Sequence, residues 1–276
     1  MEKDRRVSPE VRAYLDRIGF EGEPEVSPAC LGALQSAHLR SVPYENLDIL
    51  AGVPISLDIP AIYDKIVVRR RGGYCFELNS LFGWLLREIG YDVTDYFARF
   101  WLGEPNPIPK RRHQVLGVRF GDGEYLSDVG VGRSVPLIPV RIVEGVEQPQ
   151  GSDRYRMEFD PTYGWFLTEL HHDSWRRIYS FTTEPQLSID FITASFWCQY
   201  APDSIFREGA IVAIRTKDGR KTIAGREFKA FSGDKVDVRR LGTYREWGET
   251  LRAHFGIELD DAAIRSTFGP EEKGIG

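Results

Sequence analysis

The chain has 276 residues, of which 42% are hydrophobic and 28% are charged, the balance of an ordinary globular protein. Its formal net charge of -5 argues against a general nucleic-acid binder, which would carry a basic surplus. No run approaches the length of a membrane span, and the N-terminus lacks the apolar core of a signal peptide. The three cysteines are widely spaced and none belongs to a C-x-x-C motif, so we expect reduced thiols and a cytoplasmic protein.

The first ninety residues have the patterns of helices. Ser8 and Ser27 each precede a proline, the usual arrangement of an N-cap and the first helical position. A third helix is predicted to begin at Asp58 and to run through Ile66. We interpret His38, on the apolar side of the second helix, as a half-buried structural histidine and not as a ligand.

The clearest helix of the chain follows the pair Gly72-Gly73, which suits a tight turn. Its apolar face is formed by Leu78, Leu81, Phe82, Leu85, Leu86 and Ile89. Gly90 stands where a left-handed C-terminal cap is expected. Cys75 would lie in or beside the first helical turn, where unpaired N–H groups and the helix dipole favour a thiolate. Cys75 is therefore a candidate nucleophile, and a small core residue is the alternative.

From residue 91 the pattern becomes extended, which predicts an antiparallel sheet or small barrel over roughly residues 91–190. The predicted strands are 92–102, 113–120, 124–129, 154–159, 165–170 and 176–181. A two-residue turn at Asp122-Gly123 would set Gly121 opposite Glu124. In that register His113 and Asp128 share a face of the sheet but are offset along it. A bulge or a different register is needed to bring them into contact.

The third region begins near residue 191. It has two predicted strands, 211–216 and 221–224, around the turn at 217–220. Thr243 and Glu246 form a capping box, and we expect the chain to close on the helix that follows and ends at Gly256.

Cys75, His113 and Asp128 occur in the order nucleophile, base and orienting carboxylate. Imidazole can accept the thiol proton, and a carboxylate on its other nitrogen fixes the tautomer. The same residue types also occur in zinc sites, but the chain lacks the usual closely spaced ligand pairs apart from His171-His172. Neighbours in a strand point to opposite faces, so we predict no metal site.

Three short elements resemble motifs of the arylamine N-acetyltransferases. Residues 70–77, RRGGYCFE, resemble the nucleophile motif of that family. Residues 42–47, VPYENL, are similar to its V-P-F-E-N-L element, and residues 125–132, YLSDVGVG, to its L-x-D-V-G-F-G segment. The three elements fall in the family's order, with His113 between the last two.

The resemblance implies an α+β fold: an N-terminal helical bundle with a cysteine-protease-like nucleophile helix, an antiparallel β-barrel, and a C-terminal α/β lid. We assign these parts to residues 1–90, 91–190 and 191–276. It also implies ping-pong acetyl transfer from acetyl-CoA, through a cysteine thioester, to arylamines or arylhydrazines, with O-acetylation of N-hydroxyarylamines as a further activity in xenobiotic metabolism. Acetyl-CoA is then a co-substrate, and no cofactor is bound. At the matching positions Cys75 is the nucleophile, His113 the base and Asp128 the orienting group.

Substrate contacts are expected at Tyr44, Val131 and Gly132, which belong to the matching motifs. The chain departs from the family pattern at Val131, where phenylalanine is usual, and this leaves the acceptor preference open. Lys110 and Arg112 stand beside the proposed base, where they either bind coenzyme A phosphates or belong to a solvated loop.

Two alternatives stay open at this stage. One is an amide synthase that forms macrolactams on the same scaffold with an acyl group from a carrier protein. The other is a non-catalytic ligand-binding relative. The expected partners are a small amine and acetyl-CoA, with no nucleic acid and no membrane, and the sequence leaves the oligomeric state open.

Overall fold

The computed structural model describes residues 7–103, 108–132 and 135–269. The helices in these ranges are α1 (Pro9–Ile18), α2 (Pro28–Ser41), α3 (Leu47–Leu50), α4 (Ile59–Tyr63), α5 (Cys75–Ile89), α6 (Asp190–Tyr200), α7 (Tyr244–Phe255) and α8 (Asp261–Phe268). In this part of the chain no helix has both the length and the apolar content that crossing a membrane requires.

The strands form two antiparallel sheets. The first nine are β1 (Tyr44–Glu45), β2 (Asp92–Phe100), β3 (Arg111–Phe120), β4 (Gly123–Ser127), β5 (Val140–Arg141), β6 (Gln148–Gln150), β7 (Asp153–Asp160), β8 (Gly164–His171) and β9 (Ser174–Phe181). The last four are β10 (Ile211–Arg215), β11 (Gly219–Ala224), β12 (Glu227–Ser232) and β13 (Lys235–Arg240).

The N-terminal helices begin where their caps predict. The Ser8 hydroxyl accepts a hydrogen bond from the N–H of Val11 at 3.2 Å, and the Ser27 hydroxyl accepts one from Cys30 at 3.1 Å. The third predicted helix begins as the α-helix α4 and continues from Asp64 to Val68 as a wider π-helical turn, so it is helical through Ile66 but changes type within its length.

Helix α5 begins at Cys75, as predicted, and both of its ends are capped. The Glu77 carboxylate accepts a hydrogen bond from the N–H of Tyr74 at 3.1 Å, which satisfies a donor before the first turn. Gly90 ends the helix with φ 110° in the left-handed region. The apolar face packs into the main core, where Leu78, Leu81 and Phe82 are fully buried.

Eight strands form a nearly closed antiparallel barrel in the order β5-β4-β3-β2-β9-β8-β7-β6. Side-chain amides join its two edge strands. The Arg141 N–H donates to Gln148 Oε1 at 2.7 Å, and Gln148 Nε2 donates to the Arg141 carbonyl at 2.9 Å. Gln150 pairs with the backbone of Ile138 in the same way. These hydrogen bonds satisfy backbone N–H and C=O groups of the edge strands that a neighbouring strand would otherwise satisfy.

The β3–β4 hairpin forms with a register two residues away from the predicted one. Phe120 pairs with Gly123, so the loop residues are Gly121 and Asp122, and the expected pairing of Gly121 with Glu124 is wrong. A two-residue shift keeps every side chain on the same face of the sheet. The apolar pattern is therefore compatible with both registers and could not distinguish them.

The second sheet has the order β1-β10-β11-β12-β13, so a strand from the N-terminal region completes the C-terminal sheet. Helices α7 and α8 cover one face of it around buried Trp247, Leu251 and Ile264. The sequence pattern missed α6, β12, β13 and α8, and the chain closes on α8 and not on α7 as expected. The α+β fold class is confirmed, and the region boundaries near residues 90 and 190 stay predictions.

Candidate active site

Cys75 is the first residue of α5 and is 2% exposed. Its Sγ lies 3.7 Å from the carbonyl oxygen of Arg112 on β3. Gly130 passes so close that an added Cβ would lie 2.8 Å from the Cys75 Cα, a separation that only glycine permits. The helix start, β3 and the loop after β4 therefore meet at this thiol.

His113 contacts Asp128 next to a β-bulge. The β2–β3 register shifts immediately before His113, since Ala98 pairs with His113 but Arg99 pairs with Arg111. Asp128 follows the last pair of the β3–β4 ladder. The Nε2 of His113 lies 2.8 Å from Oδ2 of Asp128. The sequence required a bulge or a different register: the β3–β4 register does differ from the predicted one, and the bulge that is present lies between β2 and β3.

The contact with Asp128 defines which nitrogen of His113 can act as a base. An ionised carboxylate accepts but does not donate, so Nε2 carries the proton of that bond. Nδ1 is then the nitrogen left to act on Cys75, and the thiol and the imidazole line the same cleft. The three side chains are therefore grouped at one point, where His113 and Asp128 are held by their hydrogen bond.

Cys75 and His113 each shift the pKa of the other. Burial raises the pKa of the Cys75 thiol above its ordinary value, while the hydrogen bond and charge of His113 lower it. Burial also acts to lower the pKa of His113, but the Asp128 carboxylate raises it to about 10. The Asp128 carboxylate therefore makes His113 a stronger base than an ordinary imidazole, which suits it to accept the thiol proton. Because burial opposes the helix dipole, loss of the thiol proton depends on His113 more than the sequence suggested.

Asn79 holds the carboxylate of Asp128. Its Nδ2 donates to Asp128 Oδ1 at 2.8 Å and to the Gln114 carbonyl at 2.6 Å, and its Oδ1 accepts from the N–H of Val129 at 3.0 Å. The N–H of Gly130 donates to the same Asp128 oxygen at 2.8 Å. Sequence reasoning missed Asn79. The available signal was a polar residue four positions after Cys75, on the same side of the helix.

Behind α5, a buried ionic network explains the charged residues of the upstream motifs. Lys65 Nζ lies 2.8 Å from Glu77 and 2.7 Å from Asp48. Arg71 donates to Glu45 at 2.7 Å and to Asp48 at 2.8 Å. The capping residue Glu77 is therefore itself fixed, and with it the start of the nucleophile helix.

An open cleft of about 600 Å³ leads to Cys75 and His113. Tyr44, Val131 and Gly132, the residues expected at the substrate, all line it. An added Cβ at Gly132 would lie 2.8 Å from the Tyr44 ring, so the absence of a side chain there lets the ring approach.

The structure places Arg112 and Lys110, the two cations expected beside the base, in different surroundings. Arg112 lines the cleft, with its guanidinium 5.6 Å from the centre of the Phe206 ring. Lys110 is not among the described residues that line it. The Lys110 ammonium lies 4.5 Å from the centre of the Trp197 ring and 3.4 Å from the Asp203 carboxylate.

Comparison with known proteins identifies the family. Residues 29–264 match a family model described as N-acetyltransferase. The arylamine N-acetyltransferase of Mycobacterium tuberculosis is 38% identical over 264 residues, which cover 94% of this chain and 93% of the relative. The chain belongs to the arylamine N-acetyltransferase family. This membership makes it an acyltransferase and confirms the resemblance of the three motifs.

Further members agree in sequence and structure. The Salmonella typhimurium relative, named arylamine N-acetyltransferase / N-hydroxyarylamine O-acetyltransferase, is 32% identical over 91% of this chain and 90% of its own. The solved structure of the M. tuberculosis protein superposes with TM-score 0.87 at 37% identity, covering 94% of this chain and 99% of that one. A coenzyme A complex of the Mycobacterium marinum protein gives TM-score 0.87 at 34% identity, covering 94% and 98%. The amide-synthase and non-catalytic alternatives are not favoured.

Proposed function

We propose that this protein transfers the acetyl group of acetyl-CoA to arylamines and arylhydrazines through an acetyl thioester on Cys75. The observation that carries the proposal is the buried pair of His113 and Asp128 beside the buried thiol of Cys75, at the end of an open cleft. The names of the relatives and the coenzyme A complex of one of them support the donor and the acceptor class. O-acetylation of N-hydroxyarylamines is part of the proposal because the Salmonella relative carries that name.

In the first half-reaction, the Cys75 proton passes to Nδ1 of His113 and the sulfur attacks the thioester carbonyl. The bond from that carbonyl to the coenzyme A sulfur breaks, and the leaving thiolate takes the proton from His113. Asp128 stabilises the imidazolium while it exists and keeps Nδ1 directed at the sulfur. The products are acetylated Cys75 and free coenzyme A.

In the second half-reaction, an amine attacks the acetyl carbonyl on Cys75. His113 accepts the amine proton and returns it to the departing Cys75 sulfur, which restores the enzyme. Tyr44 and Val131 line the cleft beside this carbonyl, so we assign them to the acceptor. Valine is smaller than phenylalanine, and we expect the space at Val131 to admit acceptors that are bulky next to the amine.

The first half-reaction gives the most direct test, because it needs no acceptor. Intact mass after mixing with acetyl-CoA alone should show one acetyl group, which peptide mapping should place on Cys75. Addition of an arylamine should remove it and yield the acetylated amine. Labelling by other acyl thioesters but not by acetyl-CoA would contradict the proposed donor, and no reaction with any thioester would contradict the proposed chemistry.

The cytoplasmic location also stays part of the proposal. All three cysteines of the chain are unpaired and buried in the structure, as expected for a protein kept in a reducing compartment.

A further inference from the structure

One face of the C-terminal sheet forms a wall of the cleft. Three cross-strand pairs of β11 and β12 lie on this wall: Arg220 with Phe231, Thr222 with Lys229, and Ala224 with Glu227. All six residues line the cleft. Alternate residues of paired strands face the same side, so the side chains of all six residues lie on one face of the sheet.

The charge of the cleft lining is strongly one-sided. Four permanent cations line it, Arg112, Arg176, Arg220 and Lys229, against a single carboxylate, Glu227, among the residues that the structure describes. That carboxylate lies 2.7 Å from the ammonium of Lys229. The whole chain carries a net charge of -5, so the excess of positive charge here is local and not a reflection of overall composition.

Neighbouring groups orient the cations on this side. The Arg220 guanidinium lies 3.9 Å from the centre of the Phe231 ring, a stacking geometry that holds its plane against the wall. Arg176 donates from Nε to Glu169 at 2.6 Å. A guanidinium has five N–H donors in a fixed fork, so a bond through Nε orients the group without using its outer nitrogens. Oriented guanidinium groups are suited to phosphate oxygens.

We propose that Arg176, Arg220 and Lys229 bind the phosphate groups of coenzyme A, and that Lys110 does not. This inference rests on the proposed function, because it assumes a coenzyme A thioester as donor. The pantetheine arm separates the phosphates from the thioester that must reach Cys75. The carbonyl of Arg112 lies 3.7 Å from the Cys75 sulfur, so this residue belongs to the thioester end. The sheet wall supplies Arg220 and Lys229 for the far end, and β9 of the barrel supplies Arg176.

The test compares donors that differ only in their phosphates. Cys75 acetylation is followed in single turnovers with acetyl-CoA, acetyl-3′-dephospho-CoA and S-acetylpantetheine, for the parent, Arg220→Gln and Lys229→Gln. Each variant should lose about tenfold in second-order rate constant with acetyl-CoA, the usual cost of a hydrogen bond to a charged group. The rate with S-acetylpantetheine should not change. The salt dependence with acetyl-CoA should become shallower.

Two controls isolate the position of the charge. Lys235→Gln removes one positive charge from the same sheet, at an exposed residue of β13 whose side chain alternates to the opposite face. Lys110→Gln removes the charge beside Asp203. Both should keep the parent rate with all three donors.

The outcomes separate the two proposals. Unchanged rates of Arg220→Gln and Lys229→Gln with acetyl-CoA would overturn the phosphate site, as would equal losses with S-acetylpantetheine, since that donor has no phosphate. A tenfold loss in Lys110→Gln would move the site to that loop. A parent protein that reacts with S-acetylpantetheine but not with acetyl-CoA would instead overturn the proposed donor, before any variant is measured.

Discussion

His38 and His113 are both buried, with 0% and 4% of their surface exposed, yet their environments give them opposite properties. His38 accepts or donates one hydrogen bond, between Nδ1 and the Tyr14 hydroxyl at 2.9 Å, and has the Arg17 cation nearby. Burial and that cation lower the pKa of His38 to about 3. His113 has the Asp128 carboxylate at 2.8 Å, and its pKa is raised to about 10.

The difference shows what makes a buried histidine a base. Burial alone favours the neutral imidazole, which packs well but binds a second proton only weakly. One carboxylate placed at Nε2 reverses the direction of the pKa shift, so that His113 can hold the proton that Cys75 gives up. The helical bundle therefore uses a histidine, His38, for packing, and the barrel uses another, His113, for proton transfer.

The largest effect is expected from His113→Gln. The glutamine Nε2 can still donate to Asp128, but no group remains to accept the Cys75 proton. Loss of a general base costs roughly 10²- to 10⁴-fold, and we expect about 10³-fold in the rate of Cys75 acetylation. His172→Gln, at an exposed hairpin turn, is the matched control. A His113→Gln protein that folds and acetylates at the parent rate would contradict the comparison.

Asp128→Asn should make His113 resemble His38. The amide keeps the shape but removes the charge that raises the pKa of His113, and we expect a loss on the order of a hundredfold, less than the roughly 10⁴-fold of a serine-protease triad because thiols are more acidic. The pH at which iodoacetamide reaches half its maximal rate with Cys75 should rise. Buried Cys30 and Cys198 should react slowly in both proteins. Asp122→Asn, in the exposed turn of the same hairpin, should change neither quantity.

The same substitution should change how stability depends on pH. The folded pKa of His113 lies above the value of about 6.5 expected in the unfolded chain. Its contribution to stability is therefore full below about pH 6.5 and is lost as the pH rises through about 10. Thermal unfolding across this window should show a weaker decline in Asp128→Asn. If the stability of both proteins declined equally with pH, His113 would not be the source of the decline.

Asn79→Ala should lower the rate of Cys75 acetylation less than Asp128→Asn does, because it acts only on the position of the Asp128 carboxylate. The substitution removes the side-chain donor to Asp128 Oδ1, while the N–H of Gly130 still holds that oxygen. We expect about a tenfold loss in Cys75 acetylation from a carboxylate that is less well placed. The readout that separates positioning from folding is the alkylation profile of Cys75, which should shift in the direction seen for Asp128→Asn. A slower rate with an unshifted profile would assign Asn79 to the packing of α5 only.

His38→Asn should leave the rate of Cys75 acetylation unchanged and should weaken the loss of stability in acid. Asparagine can keep a partner for the Tyr14 hydroxyl. In the parent, the unfolded chain gains a proton at this histidine below about pH 6.5 that the folded protein takes up only near pH 3. Stability is therefore lost as the pH falls through that window, and the loss should be smaller in the variant. Melting temperatures between pH 7 and pH 4 test this, and equal slopes would contradict it.

Local sequence determined the elements that carry the nucleophile. Regular apolar spacing defined α5, and Gly90 defined its end, because helix periodicity and left-handed caps are properties of neighbouring residues. The same local information placed Cys75 at the first turn and predicted a hairpin around residue 122. The resemblance of three motifs added the family and the order of the catalytic residues.

Only the tertiary structure decided how those residues meet. The hairpin register could not be read from the apolar pattern, since a two-residue shift buries the same faces. The bulge before His113 and the amide of Asn79 join segments far apart in the chain, and such contacts depend on packing that a local pattern does not contain. The cluster of cations that lines the cleft could not be predicted from the sequence for the same reason. Arg176 and Lys229 come from separate sheets, and folding alone brings them to one cleft.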